Sequence, residues 1–418
     1  MKAAVFHAAG DVRVEQVPEP PPPGPGQLLI RVSKAALCGT DSAEWDHGPL
    51  LAKPPVVLGH EFTGTVLAAG PGTAGFAPGA RVVSGAGISC GTCEWCVAGR
   101  TNLCASYQTL GLHRDGGLAE LVVSPASICR QVPDALDDAA AAMAQPLAVA
   151  LHAARRGRAG SGRSCAVIGA GGIGAFIVAA AVGLGADPVI AIDVADGRLE
   201  TAAALGAVVT VNTEREDGAA AVRAATGQQG AHVVIEASGV PASPAAALAM
   251  VRRGGDVVLV GLQSHPVPVN LFALSTREVD MHGTLAHVCA EDLGEAVSLL
   301  ANTPLAEAVL GDVISLDDLV EGGLRPLAER KARGKIVVDV AGSVLSARSV
   351  QEDGNAANAS AEPCRDNSPR PRCVCVLLPR PARPGDQHGA EPVVRYPRTW
   401  KGCRRARRCA APGLPETR

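Results

Sequence analysis

Val167-Ile168-Gly169-Ala170-Gly171-Gly172-Ile173-Gly174 decides one half of the fold. The apolar run ending at Ile168 reads as a buried strand, and the small-residue stretch 172–185 reads as a helix. The glycines between them have separate duties. Gly169 permits a tight turn, Gly171 lets backbone approach a pyrophosphate, and Gly174 lets the helix pack close to the strand. Gly172 and Ile173 form the helix N-terminus, whose free N–H groups suit a phosphate. Asp193 ends the next apolar run, 189–193. A carboxylate there holds ribose hydroxyls and repels a 2′-phosphate, so NAD is expected over NADP. Arg198 could offset that preference, although its place five residues on reads as helix surface.

Downstream, the texture stays alternating. A helix is expected over 197–205, and strands over 208–211, 233–236 and 257–260. Strands that alternate with helices imply a parallel sheet of βαβ units. Upstream the texture differs. Short strands are expected at 27–33, 64–69 and 80–84, separated by turn clusters at 20–26, 71–75 and 77–79. Residues 1–145 therefore read as an all-β pattern with irregular loops. An Ala-rich helix begins at 137–143 and runs on through 147–156. After about residue 285 the pattern is mixed, and 335–340 reads as a closing strand.

The chain has 418 residues, too many for one small core, and 47% of them are apolar. Only 2% are aromatic, which favours a Gly- and Ala-rich α/β protein. A net charge of −3 argues against a nucleic-acid or membrane-surface role. No apolar run has the length of a membrane span. The first residues read as a strand rather than a leader, so a cytoplasmic location is expected. Residues 343–418 stand apart. They carry a net charge of +7, which leaves −10 for the first 342 residues. They hold five cysteines and a basic run at 404–408 but no apolar periodicity. The expectation is a disordered Arg/Pro-rich tail, or a segment whose composition reflects an out-of-frame reading of GC-rich DNA.

Cys90, Cys93, Cys96 and Cys104 place four thiolates within 15 residues. In a reducing compartment such clusters point to metal before disulfides. Four sulfurs satisfy one tetrahedral zinc and leave no open position, so that site reads as structural. An iron–sulfur cluster and chance clustering are the alternatives. Cys129, Cys165 and Cys289 read as ordinary buried thiols. A second set, Cys38 with His60 and Glu61, has the mixed donors of a catalytic zinc but weak spacing.

Taken in order, these elements resemble the zinc-containing medium-chain dehydrogenase/reductase superfamily, especially its sorbitol, butanediol and threonine dehydrogenase branch. The resemblance covers about residues 1–342. It rests on Cys38-Gly-Thr-Asp, Gly59-His-Glu-Phe, the four-cysteine lobe, Gln145-Pro-Leu-Ala-Val-Ala-Leu-His-Ala, the glycine fingerprint and Thr276-Arg-Glu-Val-Asp. The segment Glu44-Trp-Asp-His-Gly-Pro also looks like polyol dehydrogenase sequence. The implied architecture is a GroES-like, β-rich catalytic domain beside a Rossmann domain with a doubly wound parallel sheet. The catalytic domain would come from residues 1–145 and 285–342, and the NAD-binding domain from 146–284.

The resemblance also implies roles. Cys38 and His60 would ligate a catalytic zinc, with Glu61 a direct or transient ligand and Gln145 where this branch more often has Glu. Thr40 would take the substrate proton, and Asp41 would orient the His60 ring or another ligand. Zinc would polarise the alcohol oxygen, an alkoxide would form, and hydride would pass to nicotinamide C4. The cofactors implied are two zinc ions per chain, one catalytic and one structural, with NAD. The partner implied is a small alcohol or polyol, and the assembly a homodimer or homotetramer. Relatives often carry a relay His where this chain has Ala43; His47 is a candidate substitute. Glu44 is a candidate for substrate contact, or a helix cap. Threonine- and formaldehyde-type activities stay open within the enzyme class. A noncatalytic NAD-binding scaffold or sensor is the alternative from another class. A zinc-free quinone reductase is opposed by Cys38 and the lobe.

Overall fold

A computed structural model describes residues 1–263 and 265–342. The expectations for 343–418 fall outside the described residues.

The nucleotide half is a six-stranded sheet in which every neighbouring pair is parallel. Its spatial order is Val209–Asn212, Val189–Asp193, Cys165–Ile168, Ala231–Glu236, Val251–Leu259 and Asp280–Gly283. Cys165–Ile168 lies inside the sheet and is buried along its whole length, as a strand covered on both faces must be. The strand order reverses between Cys165–Ile168 and Ala231–Glu236, which opens a crevice at their carboxyl ends. Helix Gly172–Gly183 leaves that crevice and sinks Phe176, Ile177 and Val178 into the core.

The other half, expected to be the catalytic one, is a seven-stranded sheet built on Gln27–Ala36 and Glu61–Ala69. Lys335–Asp339, the strand expected to close the fold, pairs antiparallel with the end of Gln27–Ala36. It also pairs parallel with Leu310–Ser315. The chain thus returns from the nucleotide half to complete its first sheet. Helix Cys289–Asn302, which the sequence reading puts on the catalytic side of 284/285, packs Leu293, Ala296, Val297 and Leu300 into the nucleotide-side core.

Two local features depart from the reading of periodicity. The region taken as all-β contains a helix, Gly39–His47. Its start is held by a local clasp, because the Asp41 carboxylate accepts a hydrogen bond from the Cys38 amide at 2.9 Å. Further on, the Ala-rich helix breaks at Met143 into Asp138–Ala142 and Ala144–Arg156. Pro146 has no N–H to offer the Ala142 carbonyl, so one continuous helix cannot run through it. Asp137 caps the first piece by accepting from the Ala140 amide.

Among the described residues, no helix is long and apolar enough to cross a membrane.

Candidate active site

Three segments meet at Cys38. The clasped helix start presents Cys38, Thr40 and Asp41. The strand Glu61–Ala69 begins at Glu61, with His60 just before it. The closing strand begins at Lys335. Ligand atoms of Cys38, His60 and Glu61 lie within 4.8 Å of one another. Thr40 Oγ1 is 3.7 Å from Cys38 Sγ. Asp41 is fully buried, and its Oδ1 lies 3.5 Å from His60 Nδ1. Burial disfavours a charged His60 ring, yet Asp41 and Cys38 hold its pKa well above the ordinary value. One sulfur, one imidazole and one carboxylate form a suitable set for a zinc ion, with room for an exchangeable fourth ligand.

Gln145 is buried in the first turn of Ala144–Arg156, and its side chain makes no hydrogen bond to a described residue. Glu44 does not face the pocket as a free group. It is buried, and its carboxylate accepts from the amides of Leu50, Leu51 and Ala52 at 2.7, 2.6 and 3.1 Å. Its work is to organise the loop after the helix. His47 is exposed, with its ring 3.3 Å from Asp46.

Lys335 escaped the sequence reading. Its ammonium is buried and lies 2.5 Å from Glu61 Oε2. Burial opposes its charge, but Glu61 and then Cys38 keep its pKa raised. The signal was a cation opening a short strand with an apolar middle, Lys335-Ile-Val-Val-Asp339. Lys335 tethers Glu61 and balances part of the negative charge around Cys38.

The four-cysteine lobe is a separate cluster. The four sulfurs lie within 4.8 Å of one another, with Cys90–Cys96 at 4.0 Å and Cys93–Cys96 at 3.6 Å. The amides of Thr92 and Cys93 point at Cys90 Sγ from 3.5 and 3.3 Å. Led by the Thr92 amide, these donors pull the Cys90 thiol down to about 5, toward the thiolate a metal requires. The eight cysteines among the described residues are unpaired by disulfides, and Cys129, Cys165 and Cys289 are buried.

The glycine fingerprint lines a cavity of about 610 Å³. Gly169, Gly171, Gly172, Ile173, Asp193 and Arg198 all border it. Gly169 has φ +88°, a conformation that favours glycine. A Cβ on Gly174 would stand 1.7 Å from the Gly169 carbonyl oxygen, so no side chain fits there. Asp193 is held rigidly. One oxygen accepts from the Ala170 amide at 2.8 Å, the other from Val194 and Ala195 at 2.8 and 3.0 Å. Arg198 is not simply a helix-surface residue, since its guanidinium lies 3.6 Å from Asp193. Gly39, next to Cys38, borders the same cavity, so the metal-type pocket and the nucleotide-type cavity adjoin.

Two family profiles match: the alcohol dehydrogenase GroES-like domain over residues 24–134 and the zinc-binding dehydrogenase domain over 172–302. The sorbitol dehydrogenase of Bacillus subtilis (strain 168) is 34% identical over 288 residues, covering 68% of this chain and 81% of that protein. The solved 2R,3R-butanediol dehydrogenase of Bacillus subtilis is 28% identical with a TM-score of 0.74, covering 81% of this chain and 99% of that one. A candidate zinc-binding dehydrogenase from Sinorhizobium meliloti 1021, solved bound to NADP, is 32% identical with a TM-score of 0.73, covering 81% and 98%. Profile, sequence and fold agree across both halves, and the chain belongs to the zinc-containing medium-chain dehydrogenase/reductase superfamily, in its sorbitol and butanediol dehydrogenase branch.

Proposed function

We propose that this chain is a zinc-dependent, NAD-linked dehydrogenase that interconverts a secondary alcohol or polyol and its ketone. The observation that carries this reading is the adjacency marked by Gly39. Cys38, whose thiol belongs to a three-donor metal pocket, is followed directly by Gly39 on the wall of a dinucleotide cavity.

In this reading Cys38, His60 and Glu61 hold the catalytic zinc, with Gln145 at its margin. Cys90, Cys93, Cys96 and Cys104 hold a second, structural zinc, so the count is two per chain. When bound, the catalytic zinc supplies Lewis-acid polarisation of the substrate hydroxyl and the nicotinamide supplies a hydride acceptor. The protein's own groups do the rest. Thr40 receives the hydroxyl proton of the substrate. Asp41 keeps the His60 ring oriented through Nδ1. Lys335 restrains Glu61. The amides of the glycine turn bind the diphosphate, and Asp193 holds the ribose hydroxyls, which favours NAD. The catalytic half takes residues 1–145 and the returning strands of 285–342. The free thiols suit a reducing, cytoplasmic setting, and a homodimer or homotetramer is the assembly expected from the resemblance.

The test is a panel of sorbitol, 2,3-butanediol, threonine and simple alcohols with NAD, followed at the NADH absorbance. Turnover of a secondary alcohol or polyol is expected. NADH binding without turnover of any member would overturn the enzymatic reading.

A further inference from the structure

Asn102 belongs to the four-cysteine lobe but does its bonding elsewhere. It lies in the turn Thr101–Leu103, just before Cys104, and is 2% exposed. Its side-chain nitrogen donates to the Leu285 carbonyl at 2.9 Å and stands 3.4 Å from His152 Nε2. Its Oδ1 is buried without a hydrogen-bond partner among the described residues. The amide cannot be turned over, because its oxygen would then face the Leu285 carbonyl, and neither group has a proton to give.

His152 is held from behind. Its Nδ1 lies 3.2 Å from Asp292, which leaves Nε2 to accept from Asn102. Asp292 is fully buried, pairs with Arg155 and also accepts from the Val288 amide at 2.8 Å. The loop between Gly283 and Cys289 is thus tied twice, at Leu285 by Asn102 and at Val288 by Asp292. Between the ties, Ala286 sits at φ +48°, which a non-glycine residue adopts in a few per cent of cases. Backbone in that region persists where its surroundings fix it.

The place of this loop gives the ties a purpose. It leaves the carboxyl end of Asp280–Gly283, the edge strand of the parallel sheet. Open parallel sheets bind their ligands outside the carboxyl ends of the strands. Along that rim, Asp193 marks the ribose and the glycine turn after Cys165–Ile168 marks the diphosphate. The strands beyond, Ala231–Glu236, Val251–Leu259 and Asp280–Gly283, lie on the side away from Asp193. The rest of a dinucleotide runs toward them, and the loop stands at that end.

We propose that Asn102 is a positioning residue: it braces the 284–288 loop from the four-cysteine lobe and so fixes the nicotinamide end of the cleft. The proposal rests on the nicotinamide-dinucleotide reading of the cavity. The lobe is a firm base because four sulfurs within 4.8 Å draw one short loop together. Its cysteines thereby serve the nucleotide half as well as their own loop.

The test uses the zinc-loaded full chain and Asn102→Ala. It measures zinc content, hydrogen exchange of the 284–288 amides, and dissociation constants for NADH by fluorescence and ADP-ribose by competition. The variant is expected to keep the wild-type zinc content. Its loop amides should exchange about tenfold faster, and NADH should bind about tenfold more weakly. ADP-ribose, which lacks the nicotinamide, should bind as it does to the wild type. Asn102→Ser keeps a donor on a shorter stem and should fall between the two; it gives the same comparison where Asn102→Ala does not fold. Unchanged exchange overturns the brace. Equal weakening of NADH and ADP-ribose overturns the placement at the nicotinamide end, as does unchanged NADH binding. Loss of zinc from the variant also overturns the proposal, since Asn102 would then be holding the lobe. A wild type that binds neither ligand overturns the dinucleotide reading and the nicotinamide placement with it, whereas the exchange rates judge the brace separately.

Discussion

The lobe at residues 90–104 and the pocket around Cys38 are both built on cysteine, yet they are assembled in opposite ways. The lobe collects four like ligands from one short loop, with its sulfurs within 4.8 Å. Local chain geometry suffices, and backbone amides tune the thiols. The pocket collects three unlike ligands from two segments and adds a buried lysine from a third, nearly three hundred residues downstream. Four sulfurs close a metal site, whereas three mixed donors leave a place for substrate. The difference teaches that a site made to be stable can be local, while a site made to exchange ligands needs the whole fold to hold it open.

The largest expected effect separates the two sites outright. Cys38→Ser should lower turnover by at least about a thousandfold and reduce bound zinc from two ions to one per chain, measured by elemental analysis. Full activity in that variant would remove Cys38 from the chemistry. Cys96→Ser should act in the other sense. Metal binding in a closed site is folding energy, so the melting temperature should fall by at least about 5 °C, while zinc at the other site persists. Equal melting of both variants would erase the distinction between a structural and a catalytic metal.

A third measurement probes the segment between them. The Leu285 carbonyl accepts a hydrogen bond from Asn102 of the lobe at 2.9 Å. Two residues on, His287 is buried, and neither ring nitrogen has a hydrogen-bond partner. Burial pushes its pKa down from 6.5 to about 4. The unfolded chain therefore binds the proton first. The stability this histidine contributes is complete above about pH 6.5 and is lost as pH falls toward 4. Relative to His287→Asn, the wild type should lose about 2–3 kcal/mol between pH 7 and pH 4.5 in urea unfolding. Parallel pH curves for the two proteins would show that the ring is solvated or paired.

Smaller effects sharpen the open site and its neighbour. Asp193→Ala should erode the preference for NAD over NADP by about tenfold, read as the ratio of kcat/KM values. An unchanged ratio would take Asp193 out of the ribose contact. Gln145→Glu should leave zinc bound and add one negative charge near it. The acidic limb of the kcat profile should then move up by about one pH unit. An unmoved limb would mean that residue 145 does not sense the metal.

Much of the fold was legible because its signals are local. Cys165–Ile168 is uniformly apolar, and the glycines after it answer to backbone clearances within a few residues. The strand Lys335–Asp339 was visible as an apolar run, but its partner, Gln27–Ala36, was not. Helix Gly39–His47 escaped periodicity because a hydrogen bond from the Cys38 amide to Asp41, rather than an apolar stripe, starts it. Glu44 looked like a cleft residue because its three amide donors lie six to eight residues ahead.

What the sequence determined by itself was each ingredient whose geometry is set by neighbours along the chain: the four-cysteine loop, the glycine turn and the carboxylate at Asp193. Only the tertiary structure decided that Lys335 meets Glu61 and that Arg198 turns to Asp193. The physical reason is range. Amide geometry and glycine clearance act within a few residues, whereas buried charges find partners through whichever strands the sheet makes adjacent, and that adjacency is not written in the spacing.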